Sequence, residues 1–123
     1  MCTRLEMLLF SILSLVACMV SATVIEKSMH LSEVVVQYKV VLPDGYDPSK
    51  WYPAILAFGG GPQTMKQVDE ILERNLRAEA ERRGYIVFAP AAPDGVLFFQ
   101  GSEHIFPSFL DEVLRDFNIE GKF

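Results

Sequence analysis

Residues 54–65 read AILAFGGGPQTM, a strand-like apolar segment that ends in bare backbone. An unbroken apolar run, Ala54 to Phe58, drives into Gly59, Gly60, Gly61 and Pro62. A short strand without polar alternation suits a sheet covered on both faces, as in parallel α/β sheets. Downstream, Thr64 and Gln67 have capping-box spacing. Met65, Val68, Leu72, Leu76 and Ala80 then fall three or four apart, with Lys66, Glu70, Glu73, Arg74 and Arg77 on the wet face. The spacing predicts a helix over 64–83, ended by Gly84 in a left-handed cap. YIVFAP, residues 85–90, is a second continuously apolar strand.

Working outward, Val34, Val36, Tyr38, Val40 and Leu42 alternate with Gln37 and Lys39 as a strand does. LPDGYDPSK, residues 42–50, breaks that strand with turn chemistry. After a long loop, Ala91 to Glu103, a second helix is expected from about Phe106 to Ile119. Its apolar stripe is Phe106, Phe109, Leu110, Val113, Leu114 and Phe117, Pro107 suits its first turn, and Gly121 stops it. The order strand, strand, helix, strand, helix makes the chain α/β, and crossover connections imply a mostly parallel sheet with flanking helices.

The first 22 residues read differently. Arg4 precedes an apolar run from Met7 to Val20, and small residues follow at Ser21 and Ala22, the pattern of a cleaved secretory leader. A membrane span needs about 20 consecutive apolar residues, and Ser11 and Ser14 interrupt this run; an uncleaved signal anchor is the alternative. Leu15-Val16-Ala17-Cys18 also resembles a bacterial lipobox, which makes Cys18 a candidate lipidation site and the new N-terminus. Residues 23–32 read as a linker and 33–123 as the body, so the expected location is secreted or cell-envelope. Both cysteines, Cys2 and Cys18, lie in the leader. That leaves the body no disulfide, no thiol catalysis and no cysteine zinc site. The net charge of −5 lies outside the leader, where Arg4 and Glu6 cancel, and it argues against a nucleic-acid partner.

In open α/β sheets ligands sit beyond the carboxyl ends of the strands, where Gly59–Gly61 fall. Free N–H groups there suit a phosphate or the oxyanion of acyl transfer. A tight turn alone would also need such glycines. Neither the P-loop pattern nor Gly-x-Gly-x-x-Gly is present, which leaves a nucleotide-binding domain the weakest reading.

YKVVLPDGYDPSKWYPAILAFGGG (38–61), RRGYIVFAPAAPDG (82–95) and FLDEVLRDFNIEGKF (109–123) together resemble the N-terminal part of α/β-hydrolase esterases. The branch is that of feruloyl-esterase-like and polyhydroxybutyrate-depolymerase-like enzymes, and the likeness runs from about Glu33 to Phe123. It implies a partial α/β-hydrolase fold and a serine hydrolase of carboxylic esters. One oxyanion-hole donor would come from the glycine loop; Pro62 has no N–H, so the donor is Gly61 or Gly60. Phe58 stands where the family has histidine. The family's nucleophile lies in Gly-x-Ser-x-Gly, after a strand that would begin here at Lys122, and these 123 residues contain no such motif. The chain alone is therefore expected to be catalytically silent.

Ser102, Glu103 and His104 are adjacent but read as a polar loop before a helix. A working pair needs an imidazole oriented by a third group. His30 reads as a solvated linker residue and Trp51, beside Tyr52, as a rim-packing aromatic rather than a substrate-stacking ring. No His/Asp/Glu cluster has metal spacing, and no cofactor is implied. The expected partner is a small-molecule or polymeric ester, with membrane contact only through the leader or a lipid anchor. The rival reading is a non-catalytic secreted or envelope module that binds a ligand or partner at the same mouth. The coding sequence downstream of Phe123 discriminates between them, since the esterase reading requires Gly-x-Ser-x-Gly there.

Overall fold

A computed structural model describes residues 23–93 and 101–121. The leader with Cys18, residues 94–100 of the long loop, and the strand expected from Lys122 lie outside the described residues.

Residues 23–32 are not a linker. Strand β1, Thr23–Leu31, forms a hairpin with β2, Val34–Leu42, paired from Thr23↔Leu42 to Leu31↔Val34. Its two-residue turn puts Ser32 at φ 54°. The alternation of β1 is broken by Lys27, whose ammonium lies 5.2 Å from the Phe117 ring centre and 3.8 Å from Asp116. A lysine can cover apolar surface with its stem while its head stays wet.

Strand β3, Ala54–Leu56, and β4, Ile86–Pro90, complete a four-stranded sheet in the order β1-β2-β4-β3. The expectation of a mostly parallel sheet is corrected. β3 and β4 are parallel, whereas β1/β2 and β2/β4 are antiparallel. The crossover rule governs only the strand–helix–strand unit from β3 to β4. The hairpin and the long connection after Leu42 obey no such rule, and they place β2 against β4 and β3 at the edge. Beyond β3, Tyr52 and Ile119 form a parallel bridge, with Tyr52 N–H donating to Asn118 O at 3.0 Å and Glu120 N–H to Tyr52 O at 2.8 Å.

Both faces of the sheet are covered. Val36, Tyr38, Val40, Ile86 and Phe88 pack with Phe109 and Val113 of helix α3, Phe106–Asp116. On the other face Val41, Val87 and Ala89 meet Val68, Leu72 and Ala80. Every residue of β4 is buried, which explains its unbroken apolar sequence. Among the described residues no helix is long and apolar enough to cross a membrane.

The crossover helix has three parts: α1, Met65–Ile71; a π turn, Leu72–Leu76; and α2, Arg77–Arg83. Twelve residues separate Val68 from Ala80, which a straight α-helix at 3.6 residues per turn would set about 120° apart. The wide turn, closed by Arg77 N–H on Leu72 O, takes up one extra residue and brings the offset to about 20°. Both buried residues then face the sheet. Gly84, at φ 73°, ends α2 in the left-handed cap expected of it.

The turn of residues 43–53 is held by Asp47, whose carboxylate accepts the Ser49 hydroxyl at 2.7 Å and the Ser49 N–H at 2.9 Å. These bonds, the hydroxyl first, hold the Asp47 carboxyl below its ordinary range. A depressed folded value contributes stability above the unfolded-state pKa, and that contribution is lost as pH falls through the folded one. Ser49→Ala is expected to move the Asp47 titration upward, read by NMR of the carboxyl carbon. An unmoved midpoint would remove Ser49 as the cause.

Candidate functional site

The glycine loop lies at the carboxyl end of β3, between Ala57, whose N–H donates to Phe88 O at 2.8 Å, and Thr64, the N-cap of α1. Thr64 Oγ1 accepts the Gln67 N–H at 3.3 Å, as the capping-box spacing requires. No acidic side chain occupies the first turn of α1.

Two of the three glycines are required by the backbone, each for a different reason. A Cβ on Gly59 would lie 2.4 Å from Ile71 Cδ1 and 2.8 Å from Gln67 Cγ, so α1 packs directly on its backbone. Gly61 holds φ 72°, a conformation that L side chains adopt at a cost. Gly60 needs neither, since a Cβ there meets open space. Gly60 and Gly61 are both exposed, and among the described residues neither N–H has a hydrogen-bond partner. Gly59→Ala is expected to cost about 1–3 kcal/mol, the usual penalty for overpacking, read as a lowered unfolding midpoint. A midpoint equal to wild type would show that Ile71 and Gln67 yield freely.

Gln63 carries no motif signal in the sequence. It is 4% exposed, its side-chain Nε2 donates to Gly59 O at 2.8 Å, and its main-chain carbonyl accepts the Ala92 N–H at 2.8 Å. The only signal was its position, a polar residue between Pro62 and the capping Thr64. Phe58, where the resemblance leads one to expect histidine, sets its ring edge-on to Phe106 at 5.1 Å. Together with Leu56 and Leu110 these rings line a shallow apolar hollow of about 190 Å³.

The other candidates do not assemble. Ser102 precedes a 3₁₀ turn, Glu103–Ile105, and caps it with no side-chain bond. The Glu103 carboxylate accepts its own N–H and that of Gly101, which hold it below its ordinary range; it does not orient His104. Among the described residues Ser102 and His104 share no hydrogen bond. His30 is exposed on β1, not in a linker. Trp51 is 63% exposed and does not pack the rim; that part falls to Tyr52, its ring tilted against Tyr46 at 5.2 Å and its hydroxyl accepting the Asp47 N–H at 2.8 Å.

The chain is thus an α/β protein carrying an exposed glycine loop at the carboxyl end of a strand, a place where such folds bind ligands. No family model matches it. Over 51 residues, 42% of its length, it is 51% identical to dipeptidyl-peptidase 5 of Porphyromonas gingivalis. The matched stretch is 7% of that protein's own length. The likeness is to a hydrolase, by its name a peptidase rather than an esterase.

Proposed function

We propose that this chain supplies the oxyanion loop of an exported acyl hydrolase of the α/β-hydrolase type, acting on carboxylic esters. The observation that carries the reading is the pair of exposed N–H groups of Gly60 and Gly61 beyond the end of β3, which have no hydrogen-bond partner among the described residues. In this reaction a serine hydroxyl gives its proton to a general base as its oxygen adds to the acyl carbon, the carbonyl oxygen becomes an oxyanion facing those donors, and the base returns the proton to the leaving oxygen. The alcohol then leaves as its C–O bond breaks, and water hydrolyses the acyl-enzyme. Donors already aimed at the developing charge need no reorganisation as the reaction proceeds. The Ser102/His104 pair is not assigned the attack.

The partial identity with a dipeptidyl-peptidase favours a second reading, cleavage of a peptide bond. The acyl chemistry is shared and only the leaving group changes from alcohol to amine. The test is the product of the complete reading frame containing these residues, offered p-nitrophenyl esters and dipeptidyl p-nitroanilides. Ester turnover alone supports the first reading, and nitroanilide turnover the second. Folded protein that cleaves neither overturns both in favour of a non-catalytic binding module.

A further inference from the structure

We infer that Gln63 is a positioning residue that aims the Gly60 N–H at the reacting oxygen. This rests on the acyl-hydrolase reading above. Gly59 and Gly60 are joined by a single peptide unit that the loop leaves at its exposed edge. No cis bond occurs among the described residues, so in this unit the carbonyl of Gly59 and the N–H of Gly60 point in opposite directions. Gln63 Nε2 holds the Gly59 oxygen inward at 2.8 Å. With that oxygen fixed, the Gly60 N–H is directed outward, on the exposed side of the loop.

The anchor is itself fixed. Gln63 is 4% exposed, and its main-chain carbonyl is tied at 2.8 Å to the Ala92 N–H, just beyond the end of β4, which fixes the backbone from which the side chain springs. An interior strand of the sheet therefore sets where the glutamine backbone sits, and the glutamine side chain sets the plane of the peptide. Glycine at 59 and 60 offers no side chain that would do this. Without the amide the peptide plane is free to rotate, and a small misplacement of a donor costs about 10²-fold in rate.

The test uses the complete reading-frame product and its best nitrophenyl or nitroanilide substrate. Gln63→Met keeps the length and loses the donor; kcat is expected to fall by about 10²-fold with KM little changed, as for an interaction made in the transition state. Gln63→Glu supplies a second readout that a packing role would not move. When ionised, its carboxylate repels the Gly59 oxygen; when protonated, it donates to it. Its kcat relative to wild type is therefore expected to rise as pH falls. The midpoint should lie above the ordinary carboxylate range, because burial and the facing carbonyl disfavour the anion. If Gly60→Pro abolishes turnover while Gln63→Met leaves kcat intact, the positioning role is overturned and the oxyanion loop stands. A flat pH ratio for Gln63→Glu likewise overturns it. If the wild-type product is inert, the acyl-hydrolase reading fails and this inference with it; if it is active and Gly60→Pro turns over normally, Gly60 is not the donor and this inference alone is overturned.

Discussion

Phe109→Ala is expected to destabilise the protein by about 3–5 kcal/mol, the range for truncating a buried aromatic. Phe109 is 1% exposed on α3, and its ring meets Tyr38 of β2 edge-on at 5.3 Å. The two rings join the sheet to the one helix that covers this face among the described residues. Alanine would leave a void between them that neither a strand nor a helix closes by small movements. A domain of this size has only about 5–15 kcal/mol to lose, and each kcal/mol shifts the midpoint by roughly 4–8 °C. Thermal unfolding followed by circular dichroism reads the change. Leu114, 40% exposed on the same helix, is the comparison. Leu114→Ala should lose less, because a large share of its surface stays in water and no closed void is left behind. Equal losses from the two variants would mean that the face bearing Leu114 is covered in solution.

The second large effect is on turnover. Gly60→Pro removes one N–H from the loop and is expected to lower kcat by about 10²–10³-fold, the cost of one oxyanion donor. The position suits the experiment, since Gly60 has open space around its α-carbon and no positive φ to satisfy. Proline also restricts the residue before it, so Gly60→Ala, which keeps the N–H, serves as the comparison. A loss at least tenfold greater for proline than for alanine, measured as kcat on the complete reading-frame product, would assign the effect to the missing donor. Equal losses would assign it to the shape of the loop and count against Gly60 as a donor.

Elements whose signals are local were legible in the sequence. The unbroken apolar run of β4 reports burial on two faces, and the Thr64 and Gly84 caps report where the crossover helix begins and ends. β1 was hidden because Lys27 stands where an apolar residue would have completed the alternation, and because its strand begins directly after a leader-like run. Sheet direction was illegible for another reason. The stretch from Pro43 to Pro53 is long enough to bring the chain back on either side of β2, and only packing across the sheet decides. The glycine loop was visible as a place where backbone must be bare. The division of labour among Gly59, Gly60 and Gly61 depends on Ile71 and Gln67, which the helix brings up from later in the chain. Gln63 was illegible because its bond to Gly59 exists only once the loop has closed.

The π turn at Leu72–Leu76 has a consequence for how this helix varies in length. Removing a residue from an ordinary helix swings everything beyond the cut by about 100°, and a buried face becomes an exposed one. Here the wide turn already holds one residue more than a regular helix between Val68 and Ala80 would require. A deletion among the exposed positions Glu73, Arg74 and Asn75 would turn the segment into plain α-helix and leave both flanks aimed at the sheet. A homologous chain one residue shorter at this point is thus compatible with the same packing, and a gap placed there in an alignment would mark a change of winding rather than a change of fold.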